Sequence, residues 1–119
     1  MTPDYFLVVD LEGTCDKVGF PKGERETIEI GALLVRASDL QPIREFQSFV
    51  RPVRHPVLTD YCRNLTSISQ GEVDTAPIFA DAFRKFCAVA PGDEKPPLVS
   101  WGGYDHRQLK RDCQYNGVQ

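Results

Sequence analysis

The chain has 119 residues, of which 41% are hydrophobic, and its 14 basic and 17 acidic side chains give a formal net charge of −3. This length suits one domain, and the apolar content is sufficient for a core, which excludes an intrinsically disordered chain. The negative charge excludes a protein that coats nucleic acid through a broad positive field. It does not exclude an enzyme that meets phosphates through bound metal ions.

The sequence carries no signal for a membrane or for export. Its longest purely apolar run, Tyr5–Val9, is far shorter than the roughly 20 residues of a membrane span, and Met1–Asp4 lacks the basic opening of a signal peptide. The four cysteines are widely spaced, with no C-x-x-C pair: Cys15, Cys62, Cys87 and Cys113. We therefore expect reduced thiols in a cytoplasmic protein, with a structural disulfide as the alternative.

Three strands are predicted in the first half of the chain. The continuous apolar run Tyr5–Val9 is typical of a strand buried on both faces. After a loop that contains three glycine or proline positions, Ile28–Arg36 predicts a second strand, and Arg44–Val50 predicts a third, closed by Arg51-Pro52.

Helical periodicity appears in the second half. A stripe of apolar residues at helical spacing predicts a core-facing helix: Phe79, Phe83, Phe86 and Ala90. Asp74 or Thr75 can cap this helix, with Pro77 in its first turn. A shorter helix is predicted over Thr59–Leu65.

The chain ends with a strand and a helix. Leu98–Trp101 predicts a short strand, and Asp105–Tyr115 predicts a helix that stops at Asn116-Gly117. Three strands in meander order, a helix, a strand and a helix form an α/β layer arrangement. We expect the late strand to lie parallel to the first, because a helical crossover joins them.

Two carboxylates after the first strand are the first candidate site. Asp10 and Glu12 are two residues apart, so on an extended chain they share a face with Cα atoms about 6–7 Å apart. Two carboxylates so close together repel each other, and divalent cations that bind between them remove this repulsion. The alternative is that these acids only mark the solvated end of a strand.

The segment Trp101-Gly-Gly-Tyr-Asp105 is the second candidate. Paired glycines let the backbone approach a ligand, and Asp105 adds a third carboxylate at a helix start, where its alternative role is a helix cap. Trp101 can stack on a base, and its alternative place is the core.

The remaining charged candidates have simpler interpretations. His55 lies in a surface loop, and His106 points about 100° away from Asp105 on a helix. Three basic residues form a helix face that is either solvated or beside a nucleic-acid backbone: Arg107, Lys110 and Arg111.

Five sequence blocks together resemble one known family. The blocks are Val8-Val-Asp-Leu-Glu-Gly-Thr14, Thr27-Ile-Glu-Ile-Gly-Ala32, Phe49-Val-Arg-Pro52, Leu65-Thr-Ser-Ile-Ser-Gln-Gly-Glu-Val-Asp-Thr-Ala-Pro77 and Trp101-Gly-Gly-Tyr-Asp105. The series resembles the DEDDh-type 3′–5′ exonucleases, and within them the RNA 3′-end-trimming branch of the histone-mRNA exonuclease and the Eri proteins. The resemblance implies an RNase H-like fold, with a mixed sheet of a three-stranded antiparallel meander plus a parallel strand, and flanking helices.

The resemblance also implies roles for the acidic residues. Asp10 and Glu12 match the first acidic motif, whose side chains ligate two catalytic Mg²⁺ or Mn²⁺ ions, and Asp105 matches the aspartate that serves the second ion. In this two-ion scheme one metal lowers the pKa of an attacking water and the other stabilises the leaving 3′ oxygen. Glu29 would be a supporting residue rather than a ligand. The resemblance implies that Leu11, Gly13 and Thr14 line the pocket for the terminal nucleotide, and Trp101 is the further nucleotide-binding candidate.

One family motif is not found in this sequence. The resemblance implies a general-base histidine and, five residues later, a metal-binding aspartate after a further strand and helix, whereas the sequence ends at Gln119. We therefore expect residues 1–119 to be the N-terminal two-thirds of a single exonuclease domain, weak or inactive alone. We also expect it to self-associate through the free edge of Leu98–Trp101 or by exchange of its last helix.

The leading hypothesis is a metal-dependent 3′–5′ exonuclease that acts on single-stranded 3′ ends of RNA or DNA. The alternative is a non-catalytic nuclease-like module that binds nucleic acid or a partner. A third hypothesis, an unrelated metal phosphohydrolase, accounts for Asp10, Glu12 and Asp105 but not for the blocks between them.

Overall fold

The computed structural model describes residues 3–21, 23–92 and 95–118, which form one mixed sheet and flanking helices. The strands are β1 Tyr5–Gly13, β2 Thr27–Arg36, β3 Pro42–Phe49 and β4 Leu98–Val99. The helices are α1 Asp60–Thr66, α2 Gln70–Asp74, α3 Phe79–Cys87 and α4 Tyr104–Tyr115. None of the helices in these ranges is both long enough and apolar enough to cross a membrane.

The sheet has the predicted mixed topology, with strand order β3-β2-β1-β4. β1 pairs antiparallel with β2, and β2 pairs antiparallel with β3. β4 pairs parallel with β1 over two positions, Leu7 with Leu98 and Val8 with Val99. The helical crossover from β3 to β4 accounts for this parallel pairing, since a tight hairpin cannot produce it.

Alternate residues of β1 lie on opposite faces of the sheet. Leu7, Val9 and Leu11 are buried in the main hydrophobic core, where they contact residues of α3 and α4. Val8 is half-buried and Asp10 is exposed on the other face. The prediction of a strand buried on both faces is therefore wrong, because the helices that contact this core cover only one face.

β1 also extends beyond its predicted end. We expected Asp10-Leu11-Glu12 to follow the strand, but pairing with β2 continues, with Asp10 opposite Gly31 and Glu12 opposite Glu29. The ladder is irregular only between Glu12 and Gly13. Both acidic side chains are therefore held by a strand rather than by a loop.

The phenylalanine stripe of α3 is confirmed, but its predicted caps are wrong. Phe79 and Phe86 are buried and Phe83 packs against them, with ring centroids 5.3 Å and 5.7 Å away. Ile78 is the N-cap and its side chain makes no capping hydrogen bond. Asp74 and Thr75 instead end α2, so they lie a short segment before α3.

The two short helices begin at polar caps. Thr59 caps α1, because its hydroxyl accepts a hydrogen bond from the Cys62 N–H at 3.0 Å. α2, which we did not predict, begins with a reciprocal capping box between Ser69 and Glu72. These helices enclose a second apolar cluster: Ile28, Leu58, Cys62, Ile68 and Val73.

The last strand is shorter than predicted, and Trp101 is not a core residue. β4 ends at Val99, and the Trp101 side chain is 98% exposed in the bend that precedes α4. Gly102 in this bend has φ +79°, a conformation that only glycine adopts readily. The helix then runs to Tyr115 and ends at Asn116 and Gly117 as expected.

Candidate active site

Asp10 and Glu12 lie on the face of β1 that is turned away from the main core. Asp10 is exposed and lines an open groove of about 420 Å³, together with Gly31 of β2 and Gln47 of β3. Glu12 is half-buried opposite Glu29, whose carboxylate accepts a hydrogen bond from the Gln47 side-chain amide at 2.9 Å. The predicted pair therefore shares one face, as a two-residue spacing on a strand requires.

Asp105 reaches the same region from α4. It lies in the first turn of the helix, and the residue as a whole is only 7% exposed. Burial and the nearby Asp10 raise the pKa of its carboxyl, whereas a hydrogen bond from the Leu11 backbone N–H lowers it. Gly103 occupies the N-cap position, so Asp105 is not the capping residue.

The carboxylates act on one another electrostatically. Burial is the main cause that raises the pKa of Glu12, and the negative charges of Asp10, Glu29 and Asp105 raise it further. Every charged neighbour that shifts this group is thus itself acidic. A concentration of negative charge around a half-buried carboxylate is the environment that a bound cation stabilises.

The predicted nucleotide-binding residues have different surroundings. Leu11 contributes its side chain to the core, and Thr14 is buried with its hydroxyl accepting a hydrogen bond from the Glu26 N–H at 2.9 Å. Both side chains are therefore engaged inside the protein, which leaves the backbone groups of these positions as their route to a nucleotide. Trp101, in contrast, presents its whole ring to solvent.

Gly13 is in close contact with a residue that our sequence analysis did not single out. A Cβ atom at Gly13 would lie 2.7 Å from the Tyr104 hydroxyl. Burial raises the pKa of Tyr104, and the positive charge of nearby Arg25 lowers it. The absence of a side chain at Gly13 thus leaves space for Tyr104, the residue that directly precedes Asp105. This contact lets the end of β1 lie close to the start of α4.

Two buried carboxylates that sequence reasoning missed hold the surroundings of the site in place. Glu26 accepts hydrogen bonds from three successive N–H groups, of Val53 at 2.8 Å, Arg54 at 2.8 Å and His55 at 3.1 Å. Asp112 accepts from the Thr27 N–H at 3.2 Å and from the Thr27 hydroxyl at 2.5 Å.

The remaining candidates lie where the sequence placed them. His106 is exposed, and His55 is half-buried with its Nε2 atom 2.8 Å from Glu24. Arg107 and Lys110 are exposed on α4, and Arg111 is half-buried there.

The three predicted carboxylates provide suitable chemistry for a divalent cation. Carboxylate oxygens are the ligands that Mg²⁺ and Mn²⁺ prefer, and Glu12 and Asp105 both have pKa values raised by negative neighbours. In the described part of the chain, no three acidic, histidine or cysteine side chains are grouped closely enough to form a metal site as they stand. The three carboxylates have the right chemistry to bind such an ion. In the described structure they lie in the same region, but they are not close enough together to surround it.

Comparison with known proteins identifies the family. The family described as Exonuclease (RNase_T) matches residues 7–118, which is nearly the whole chain. This chain belongs to that exonuclease family. The match includes both acidic segments, at the end of β1 and the start of α4.

Individual relatives agree with the DEDDh branch that the sequence blocks resemble. The chain is 46% identical over 82 residues to the 3′-5′ exonuclease eri1 of Schizosaccharomyces pombe, covering 68% of this chain and 27% of that protein. It is 31% identical over 125 residues to the probable 3′-5′ exonuclease KapD of Bacillus subtilis, covering 99% of this chain and 57% of that protein. The chain thus spans little more than half of one relative and about a quarter of the other.

A solved structure shows the same fold. The nuclease domain of 3′hExo, a DEDDh family member bound to rAMP, superposes with a TM-score of 0.86 at 29% identity, over 98% of this chain and 62% of that one. The RNase H-like fold expected from the resemblance is therefore confirmed.

Proposed function

We propose that this chain carries the first two acidic motifs of a metal-dependent 3′–5′ exonuclease that hydrolyses phosphodiester bonds at single-stranded 3′ ends of RNA or DNA. The observation that carries the proposal is the approach of the buried Asp105 to the acidic pair: besides burial, the negative charge of Asp10 raises the pKa of Asp105, and the charges of Asp10 and Asp105 add to burial in raising the pKa of Glu12. Relatives named 3′-5′ exonucleases support it. A structural relative bound to rAMP supports recognition of a nucleotide.

In this proposal Asp10, Glu12 and Asp105 hold Mg²⁺ or Mn²⁺, two ions in a complete site. When bound, such ions activate a water molecule and stabilise a leaving oxygen. The residues of this chain hold the carboxylates in fixed relative positions. β1 orients Asp10 and Glu12 toward the same face, and the Leu11 N–H restrains the Asp105 side chain.

Nucleotide recognition would come from the segment that follows the acidic pair and from the bend before α4. The backbone of Leu11, Gly13 and Thr14 lies beside the carboxylates, and the exposed Trp101 ring is available to stack on a base. A cytoplasmic location belongs to the same proposal. The four cysteines, which the structure describes as free thiols, support it.

Calorimetry with Mn²⁺ and a matched pair of variants test the metal site. Asp10→Asn removes the central negative charge, so we expect Mn²⁺ binding by the parent chain and none by this variant. Asp16→Asn is the control, because Asp16 is exposed in the following loop and accepts a hydrogen bond only from its neighbour Lys17. Equal binding by the parent and Asp10→Asn would show that the metal site is wrongly assigned.

A labelled 3′ end distinguishes the enzyme from the non-catalytic alternative. Metal-dependent release of 5′-mononucleotides that Asp10→Asn abolishes supports the exonuclease. Because residues 1–119 are expected to cut weakly or not at all alone, the assay uses the same variants in a longer chain that also carries the general-base histidine and the last aspartate. In that chain, binding of the oligonucleotide without metal-dependent cutting supports a nuclease-like binding module, whereas cutting that survives Asp10→Asn contradicts the assigned site.

Self-association stays a prediction. β4 is the last strand of the described sheet, and Leu98 and Val99 are 40% and 43% exposed, which leaves apolar side chains at a sheet edge. Light scattering over a concentration series tests this prediction, and a monodisperse monomer at high concentration contradicts it.

A further inference from the structure

One face of α4 contacts the loop that leads into β2. Tyr104, Gln108, Arg111 and Tyr115 follow the helical spacing that places side chains on one stripe. The Gln108 side-chain amide donates to the Arg25 carbonyl oxygen at 2.7 Å. This stripe therefore lies against residues that immediately precede β2.

Three guanidinium groups are held along this stripe. The charge of Arg25 acts on the Tyr104 hydroxyl near the start of the helix, where it lowers the pKa that burial raises, and Arg111 donates to the Gln108 side-chain oxygen at 3.1 Å one turn before the end. At the far end the Arg54 guanidinium lies 3.9 Å from the centroid of the Tyr115 ring. We call Arg25, Arg111, Arg54 and Tyr115 the α4 track.

These arginines are not used in ion pairs within the described part of the chain. The ion pairs found there involve Arg36, His55, Arg63 and Arg84 instead. The buried carboxylates of Glu26 and Asp112 already accept hydrogen bonds from backbone N–H groups and from the Thr27 hydroxyl. The positive charges of the track are thus left without an acidic side-chain partner.

The guanidinium groups also retain unused donors. The Nε atoms of both Arg54 and Arg111 are buried and find no acceptor among the described residues. A buried donor without a partner has lost its hydrogen bonds to water and gained none in return, which is energetically unfavourable. A ligand rich in acceptor oxygens that reorients these groups would recover that loss.

The direction and the composition of the track indicate what binds there. From Tyr104 to Tyr115 the helix rises about 16 Å at 1.5 Å per residue, and it begins next to Asp105. Positive groups that alternate with aromatic rings are typical of surfaces for single-stranded nucleic acid, where the cations follow the phosphates and the rings stack on bases. Tyr115 is 52% exposed and is accessible for such stacking.

We propose that the α4 track binds the phosphodiester backbone of a single-stranded nucleic acid whose 3′ end lies at Asp105. The proposal rests on the proposed function for the identity of that end. It adds a binding surface that lies outside the acidic site and continues to the C-terminal end of α4. Because the whole chain is negatively charged, this local track would supply a large share of the attraction for phosphates.

Fluorescence anisotropy with a labelled single-stranded oligonucleotide tests the track, without divalent metal so that no cutting occurs. Each lost phosphate contact lowers the slope of log K against log salt by about 0.7, which weakens binding about fivefold near 0.1 M salt. Arg54→Gln with Arg111→Gln in one chain should therefore lose about 25-fold in affinity and about 1.4 in slope. The measurement is made with RNA and with DNA of the same sequence. If the track recognises only the phosphates, the double Gln variant should lose the same affinity for both.

Three controls separate this inference from folding defects. Arg54→Lys with Arg111→Lys keeps both charges and should keep the salt slope of the parent, as should Lys85→Gln on the exposed side of α3. Asp16→Asn, in the exposed loop after β1, should also bind the oligonucleotide as the parent does. The inference is wrong if the parent and the double Gln variant have equal affinities and equal salt slopes, even where the parent is an active exonuclease. A double Lys variant as weak as the double Gln variant also overturns it.

Discussion

The buried Glu26 carboxylate offers the sharpest test of how the site is supported. Its residue is 5% exposed, and one oxygen accepts from the Arg54 and His55 N–H groups while the other accepts from Val53. Its backbone also pairs with Thr14, which follows β1. Glu26 therefore connects the end of β1 with the loop 53–55. We predict that Glu26→Gln destabilises the whole fold.

The expected magnitude follows from the three hydrogen bonds. A glutamine amide can accept on only one side, so in its better orientation its NH₂ group faces the Val53 N–H. The Val53 N–H, whose bond to Glu26 is part-buried although the residue is 49% exposed, is then unpaired, which costs about 1 kcal/mol, the lower end of the range for such a group. The two remaining bonds lose the charge that makes such bonds roughly twice as strong as neutral ones. We expect a total loss of about 3 kcal/mol, against an unfolding free energy of about 5–15 kcal/mol for a domain of this kind.

Urea denaturation of the parent, Glu26→Gln and Glu24→Gln provides the measurement. Glu24 is the matched control, because it lies two residues away and pairs with His55 through side chains that are 47% and 38% exposed. An exposed pair of this kind contributes at most about 1 kcal/mol. A loss below about 1 kcal/mol for Glu26→Gln, or equal losses for the two variants, would refute this explanation of the loop.

Three other predictions concern packing, pH and thiol chemistry. Gly13→Ala should destabilise the chain by about 1–3 kcal/mol, because the added Cβ would collide with the Tyr104 hydroxyl. Adding Tyr104→Phe, which removes that hydroxyl, should recover part of the loss. Additive losses in the double-mutant cycle would contradict the contact. Burial raises the pKa of Asp112 above its ordinary 3.8, so the folded state binds this proton more tightly than the unfolded state does. The stability that the proton contributes is fully present below pH 3.8 and is lost as the pH rises through the pKa of the folded state. Asp112→Asn should therefore gain stability relative to the parent between about pH 4 and pH 7, as urea titrations at both pH values would show. Burial raises the pKa of Cys15 to about 11 and also raises that of Cys87, but Cys87 is exposed and Cys15 is half-buried. Mass spectrometry after brief alkylation should therefore find Cys87 modified before Cys15.

The features that the sequence predicted well are those that depend on local periodicity. The Phe79, Phe83 and Phe86 stripe identifies α3 because apolar side chains at helical spacing require a core on one side. The parallel pairing of β4 follows from its place after a helical crossover. The Ser69–Glu72 capping box was also readable in the sequence, and it would have predicted α2.

The features that the sequence did not predict depend on distant partners. β1 continues through Glu12 because β2 pairs with it, and a single strand pattern does not show where its partner ends. Glu26 and Asp112 appear in the sequence as ordinary acids, yet their hydrogen-bond partners lie 27–29 and 85 residues away. Trp101 is exposed because β4 ends two residues earlier, which no local property of a tryptophan indicates.

The alternation of β1 links the evolution of the site to that of the core. Val9 and Leu11 face the helices, while Asp10 and Glu12, the residues between and after them, face the opposite side. Inserting or deleting one residue within the strand would exchange these two sets, placing carboxylates in the core and leucine on the surface. Single substitutions in this strand therefore change one side chain at a time. A change of length would disrupt the core and displace the acidic pair at once. A lineage that keeps the fold must keep the spacing of its acidic pair.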